Sequence, residues 1–442
     1  MKNIEQNMFE YEKDLEYKIQ LILRVGQTLM ESGANTNRIV LIMKRVASYL
    51  KIPEKKLHIH ITFTTIMVNV SAGDKSMTSF QKCYKHGVDM TAVSAISKLS
   101  WKIIEEEYSL KDFEKNLNFI IQRKRHYSSL LVMICAGLAC GGFSILFGGD
   151  VLAFIYTSIC AIFGFFVRTK CNKLNFNPYA SIAISAFVAT SIAYFMHFLP
   201  TITPWHPLIA CSLFIVPGIP LINAIDDLVD NYIVAGVTRA VNTLLMIGSM
   251  TFGIAFAIRL CNVEDFTNVS IVSSNSYILC FFAAAIAAIG FSTIFNAPVR
   301  LLPVIAIGAI IAVGTRNYLM LDCGFSQATA SLIGAVIVSL LSLKIVHLAH
   351  APSHIITIPS VIPMIPGVLM YRLLFNIINI ENVEVTNYHA VLDNGVNTTL
   401  ILLGIAVGVA IPNIFFRNYL NKIKEAQLQY LIQLQNKNKR KF

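Results

Sequence analysis

Asn223, Asp226, Asp227 and Asp230 sit inside an otherwise apolar segment, FIVPGIPLINAIDDLVDNYIVAGVTRAVN, over residues 214–242. Positions three, four and seven apart share one face of a helix, so these side chains would form a single polar stripe. Grouped carboxylates beside an amide can accept an ammonium group or exchange a proton, because burial raises a carboxylate's proton affinity. Arg239 and Asn242 lie a turn inside the next apolar run and are placed to pair with those acids. Ahead of the stripe, Pro217, Gly218 and Pro220 interrupt the helix. Proline lacks a backbone donor and clashes with the preceding turn, while glycine lowers the cost of bending. In a bilayer such a break persists only where the freed backbone is buried in protein or faces a wet cavity. The alternative is a solvated helix end at the membrane surface.

The same arrangement occurs twice. Gly142–Phe147 (GFSILF) returns as Gly290–Phe295 (GFSTIF) at an offset of 148, and Pro217-Gly218 returns as Pro366-Gly367 at 149. Asn242 then matches Asn397 at 155, which requires about six extra residues in the preceding loop of the second copy. Counted from each repeated proline, positions +6, +10 and +13 are Asn223, Asp227 and Asp230 in one copy and Arg372, Asn376 and Asn379 in the other. One copy is acidic and the other carries a planar, bidentate cation, a pairing that suits a zwitterion such as an amino acid. The carboxylates could equally carry a coupling proton. As bland alternatives, the acids would be solvated and Arg372 would snorkel to the interface.

What must position these residues is a membrane domain. Hydrophobic residues make up 55% of 442 positions and charged residues 14%, with a mean hydropathy of +0.61. That charge content is well below the roughly one quarter typical of soluble domains. Ten apolar runs follow one another: 128–147, 151–167, 178–198, 207–224, 232–258, 276–295, 301–319, 326–346, 355–375 and 395–416. Most approach the ~20 residues needed to cross a bilayer core. Five runs per copy is an odd number, so the second copy must enter from the other side, the inverted-repeat plan of secondary transporters. Arg123, Lys124 and Arg125, then Arg168, Lys170 and Lys173, then Arg417, Lys422 and Lys424 all fall on one side of such a fold. By the bias of Lys and Arg toward cytoplasmic loops, both termini are expected in the cytoplasm of a multi-pass protein of the inner (cytoplasmic) membrane. The same bias accounts for 36 Lys+Arg against 25 Asp+Glu without a nucleic-acid partner.

Residues 1–122 read as a cytosolic α/β domain, 123–262 as the first five-helix repeat, 270–425 as the second, and 426–442 as a basic tail. Within the first, 15–30, 36–50, 89–107 and 108–122 have helical periodicity, 57–70 alternates as one strand, and SFQKCYK is the returning strand. Residues 1–20 are too charged for a cleaved signal segment. His58 and His60 share a strand face and are expected to be solvated. His347, His350 and His354 have helical spacing, but Pro352 interrupts them, so they are expected in a loop. The nine cysteines lack metal-type spacing and are expected as small core residues. No nucleotide loop and no nucleophile with a readable base partner is present, so neither an enzyme nor an ATP-driven pump is expected, and no cofactor.

Four short runs carry a resemblance: Glu31–Arg38 (ESGANTNR), Gly87-Val88-Asp89, Val216–Asn223 (VPGIPLIN) and Phe295–Arg300 (FNAPVR). In this order, ahead of and within ten spans, they resemble the threonine/serine exporter family, from about residue 15 to 416. The resemblance implies proton-driven export of threonine and serine, with Pro217, Gly218 and Asn223 as the matched functional positions. It also implies a fusion of two modules that some bacteria encode separately, a form associated with succinate export. A dicarboxylate exporter and a membrane sensor regulated through residues 1–122 are the competing readings, and self-association into a homo-oligomer is left open.

Overall fold

The computed structural model describes residues 2–72, 75–106, 108–261, 276–349, 352–367, 369, 373, 389, 392–412 and 415–416. The amino-terminal α/β domain runs α1 (Lys2–Glu31), α2 (Thr36–Tyr49), β1 (Leu57–Ile61), β2 (Thr65–Ala72), β3 (Lys75–Lys82), α3 (Met90–Glu105) and α4 (Leu110–Gln122). The helical faces read from the sequence close on one core: Ile19, Ile22 and Leu29 of α1 with Ile39, Met43 and Val46 of α2, Ile66 and Val68 of β2, and Phe113 and Leu117 of α4.

Residues 57–70, expected as one strand, are a hairpin. β1 and β2 pair antiparallel with Leu57 opposite Val70 and His60 opposite Met67, and β3 joins on the far side of β2. The alternation of apolar and polar residues runs on through residues 62–64 with no glycine or proline to mark the turn. Thr62 closes it, donating from its backbone N–H to the Thr65 carbonyl at 2.9 Å and accepting the Thr65 N–H on its hydroxyl at 3.1 Å. His58 and His60 lie on β1 with their side chains exposed.

The helical part comprises α5 (Ser129–Leu146), α6 (Val151–Lys173), α7 (Pro178–Met196), α8 (His206–Ala210), α9 (Gly218–Val229), α10 (Ile233–Leu260), α11 (Tyr277–Ile294), α12 (Leu302–Leu321), α13 (Gln327–Ala349), α14 (Ser353–Val361) and α15 (Leu392–Pro412). Among the described residues, eight helices are long and apolar enough to cross a membrane. A bent pair, 206–215 and 218–229, broken at 58°, makes nine if the two halves form one span. Of the ten expected runs, 355–375 begins within α14 and the 3-10 turn Ile362–Met364, and most of its second half lies outside the described residues.

The two copies contact each other reciprocally through α5 and α11. A Cβ on Gly142 would lie 2.8 Å from the Ala283 carbonyl oxygen, and one on Gly290 would overlap that of Cys135. Ala283 and Cys135 are themselves 148 residues apart, so the two contacts exchange under the repeat, as a two-fold axis requires. Phe143 and Phe291, again 148 apart, meet edge to face at 5.9 Å between ring centroids. The 155-residue offset also appears in the packing. Gly253 of α10 abuts the Ala183 carbonyl of α7, and Gly408 of α15 abuts the Leu332 carbonyl of α13. Small residues let backbones approach this closely, which is how helices gain packing energy where lipid supplies no hydrophobic drive.

Candidate functional site

The break before α9 is where the sequence places it. Pro217 occupies the N-cap position, and the Gly218 N–H turns back to the Val216 carbonyl at 2.9 Å. Asn223, Asp226 and Asp227 emerge from α9 on one face and are 3%, 5% and 0% exposed, which rules out a solvated helix end for these three. What buries them is the α/β domain. The Gly33–Thr36 segment between α1 and α2 lies against α9, and Gly33 has a φ of 82°, a conformation that glycine adopts without strain.

Each polar residue of the α9 face is bonded to that segment. Asn223 donates from Nδ2 to the Gly33 carbonyl at 2.8 Å. Asp227 accepts the Thr36 N–H on Oδ1 at 2.8 Å and the Thr36 hydroxyl on Oδ2 at 2.7 Å. Asn35, the N-cap of α2, makes no capping bond with its own side chain. Asp227 therefore supplies the carboxylate that the positive end of α2 favours. Arg239 of α10 completes the cluster, with Nε 3.0 Å from Asp227 Oδ2 and Nη2 donating to the Ala34 carbonyl at 3.1 Å. Its guanidinium also lies 5.9 Å from the Phe63 ring centroid, at the turn of the β1–β2 hairpin.

Asp226 faces the neighbouring elements. Its Oδ2 lies 3.4 Å from Asn35 Nδ2 and 3.7 Å from His354 Nδ1. His354, expected in a loop, stands in the first turn of α14, which begins at Ser353, so Pro352 precedes this helix and does not interrupt it. Arg38 of α2 also faces this acid. Burial pushes its guanidinium down to about 10, while the charge of Asp226 pulls the other way.

A second junction joins α3 to the end of α11. The Phe295 and Asn296 carbonyls, freed at the α11 C-terminus, accept the Met90 and Thr91 N–H groups at 2.9 and 3.1 Å. Asn296 donates from Nδ2 to Asp89 at 2.9 Å and accepts the His126 N–H on Oδ1 at 2.9 Å. Asp89 also caps α3 through the Ala92 N–H at 2.9 Å, and its own N–H donates to the Ser32 carbonyl at 3.0 Å. The two junctions are thereby continuous, and the four runs singled out in the sequence meet in one place.

The remaining expected residues lie elsewhere. Asp230 is the C-cap of α9 and partly exposed. Asn242, expected to pair with the acids, instead accepts the Tyr179 hydroxyl at 2.6 Å, because it points from α10 toward α7. Asn397 is exposed on α15. Gly367, after Pro366, packs against Leu213 while Gly218 packs against Ile362, so the two breaks face each other. Arg372 and Asn376 lie outside the described residues. Sequence reasoning did not assign Asn35, Thr36, Arg38, Asp89, Asn296 or His354 to the site. Their signal was membership of the short polar runs, apart from His354, which had only its helical spacing.

A sequence model of the threonine/serine exporter family, ThrE, matches residues 20–261, more than half of the chain. The chain belongs to the threonine/serine exporter family. A second model, described as "Threonine/Serine exporter, ThrE", matches residues 280–415. Among curated relatives, a "Probable succinate transporter subunit YjjP" of Escherichia coli K12 is 26% identical over 247 residues, covering 54% of this chain and 93% of that protein. A "Probable threonine/serine exporter" of Mycobacterium tuberculosis H37Rv is 19% identical over 372 residues, covering 81% of this chain and 69% of its own length. No solved structure matches the chain. Membership places it among transporters of small molecules, with the ThrE segment over 20–261 containing both the α/β domain and the broken helix α9.

Proposed function

We propose that this exporter-family member moves threonine and serine out across the cytoplasmic membrane in exchange for protons. The observation that carries the reading is the buried Asp227–Arg239 pair at a broken helix, with side chains 0% and 6% exposed. Intramembrane acids at such breaks are the usual carriers of a coupling proton. Protonation of Asp227 removes the charge that holds Arg239 and weakens the acceptor of the two Thr36 bonds, loosening α9 from the α/β domain. Loss of the proton restores the contact, so proton occupancy and closure of the junction are linked.

In this reading residues 1–122 form a cytosolic domain seated on two repeats, 123–262 and 270–425, with a basic tail at 426–442 and both termini inside. Pro217, Gly218, Asn223, Asp227, Asp230 and Arg239 line one half of the pathway. Pro366 and Gly367 line the other, to which the sequence repeat also assigns Arg372 and Asn376. A second reading, export of a dicarboxylate, is favoured by the buried cations Arg239 and Arg316 and by the succinate description of the E. coli relative.

The test is efflux from proteoliposomes preloaded with labelled threonine, serine or succinate, with and without an imposed pH gradient. Gradient-stimulated threonine or serine release is expected. Succinate release alone would transfer the assignment to the second reading, and release of none by folded protein would sink both.

A further inference from the structure

Where α2, α9 and α14 meet there is a cavity of about 30 Å³, whose polar lining includes Ser32, Asn35, Arg38, Asn223 and His354. The rest of its wall is largely aliphatic, including Val88 and Ile355. A mostly apolar pocket with a few convergent polar groups is the common form of a small-molecule site.

Two of its polar groups are not consumed by the fold. Asn35 is 7% exposed, its Nδ2 faces Asp226, and its Oδ1 has no hydrogen-bond partner. The amide cannot be turned the other way without setting its oxygen against the Asp226 carboxylate. A buried acceptor left empty is unfavourable and rare, and one at the wall of a cavity calls for a donor from a ligand. Arg38 lines the same cavity and, among the described residues, makes no hydrogen bond or ion pair, although it lies in the field of Asp226. The cavity wall thus carries an acceptor pole at Asn35, with Asp226 behind it 3.4 Å from Asn35 Nδ2, and a donor pole at Arg38.

We propose that this cavity is the closed form of a docking site for the ammonium and carboxylate groups of an α-amino acid, built jointly by the α/β domain and the broken helix. Asn35 Oδ1 and Asp226 accept from the ammonium, and Arg38 forms a bidentate pair with the carboxylate. The inference rests on the amino-acid export reading and adds to it that the α/β domain supplies half of the binding groups. A volume of about 30 Å³ holds roughly one water molecule, so an amino acid enters only when the junction opens. The bonds that hold it shut, Asn223 to Gly33, Thr36 to Asp227 and Arg239 to Ala34, all cross between the two halves. Opening therefore exposes the donor and acceptor poles together.

The experiment measures threonine efflux against internal threonine concentration in proteoliposomes of full-length wild type, Asn35→Ser, Arg38→Lys and Arg38→Gln. Inhibition by 1-amino-2-propanol, threonine without its carboxylate, is compared with inhibition by serine. Loss of one charge-assisted contact should raise KM about tenfold in Arg38→Gln and Asn35→Ser, with the maximal rate within about twofold. Arg38→Lys should recover part of the affinity. Wild type should prefer serine over the amino alcohol as inhibitor, and Arg38→Gln should lose most of that preference, a change that a purely structural role would not produce. Should Arg38→Gln fail to fold, Arg38→Lys and Asn35→Ser are read by the same KM and inhibition criteria. An exporting wild type whose variants keep KM and inhibitor preference would overturn the site while leaving the export reading standing, the cavity then holding water only. A wild type that exports no amino acid would overturn the export reading, and the site with it.

Discussion

Asp227 and Thr36, 191 residues apart in sequence, are joined by two hydrogen bonds of 2.8 and 2.7 Å. One carboxylate therefore belongs to the polar stripe of a broken apolar helix and caps a helix of a separate α/β domain. Arg239 ties the same carboxylate to α10, so three elements that could otherwise move independently share one acid. In the proton-exchange reading proposed above, the contact that positions the α/β domain is also the one that protonation of Asp227 weakens.

Removing either member of the buried pair leaves the other charge uncompensated, a loss of about 3–5 kcal/mol for a complete deletion and less for an isosteric one. Asp227→Asn and Arg239→Gln should each lower the thermal midpoint of the purified protein by several degrees. The double variant should lose less than the sum of the two. Additive losses in a double-mutant cycle would show that the 3.0 Å contact carries no coupling.

Asn296 holds a φ of 52° at the end of α11, where its repeat partner Gly148 has 95°. Glycine and asparagine tolerate this conformation and alanine does not. Asn296→Ala and Asn296→Gly both lose the amide bonds to Asp89 and His126, so their difference isolates the backbone. The alanine variant should be less stable by about 1 kcal/mol. Equal midpoints in thermal unfolding would remove the backbone argument.

The helices and the repeat were legible because their signals are local or periodic. Pro217-Gly218 and Pro366-Gly367 announce breaks, and the GFS runs announce the repeat. The burial of Asn223, Asp226 and Asp227 was not legible. A stripe of acids near a helix end reads as solvated unless it is known which surface covers it. That surface is Gly33–Thr36, about 190 residues earlier, and neither stretch has a feature that names the other. Asn242 failed for a related reason: its distance along α10 from Arg239 was correct for proximity, but rotation around the helix points it at Tyr179. The β1–β2 turn was missed because alternation continues through it.

Close backbone approach at the repeat interface makes its glycines intolerant of a side chain, whereas Gly248 of α10 has nothing within 4 Å of a built Cβ. Gly290→Ala forces the new methyl onto the Cys135 carbonyl and should cost about 1–3 kcal/mol or more, as overpacking does. Gly248→Ala should be neutral or stabilising by up to about 1 kcal/mol, through the better helix propensity of alanine. Thermal unfolding of the two variants side by side checks the contrast, and an unaffected Gly290→Ala would argue against the close α5–α11 contact.

His86 stacks on Phe63 at 4.1 Å between ring centroids, close to the turn against which Arg239 lies. Burial, and then the positive charge of Arg239, holds its imidazole below the ordinary value of 6.5, with Glu31 opposing. The unfolded chain therefore takes up this proton first as pH falls. By linkage, stability is complete well above pH 6.5 and declines as pH drops below it, the decline ending once the folded-state value has been passed. The thermal midpoint of wild type relative to that of His86→Gln should fall between about pH 7.5 and 5.5, the difference being the share this imidazole supplies. The double variant His86→Gln with Arg239→Gln should be no flatter than His86→Gln in the part of the slope that His86 supplies. A slope that His86→Gln leaves unchanged would show that the imidazole is not titrating in this environment.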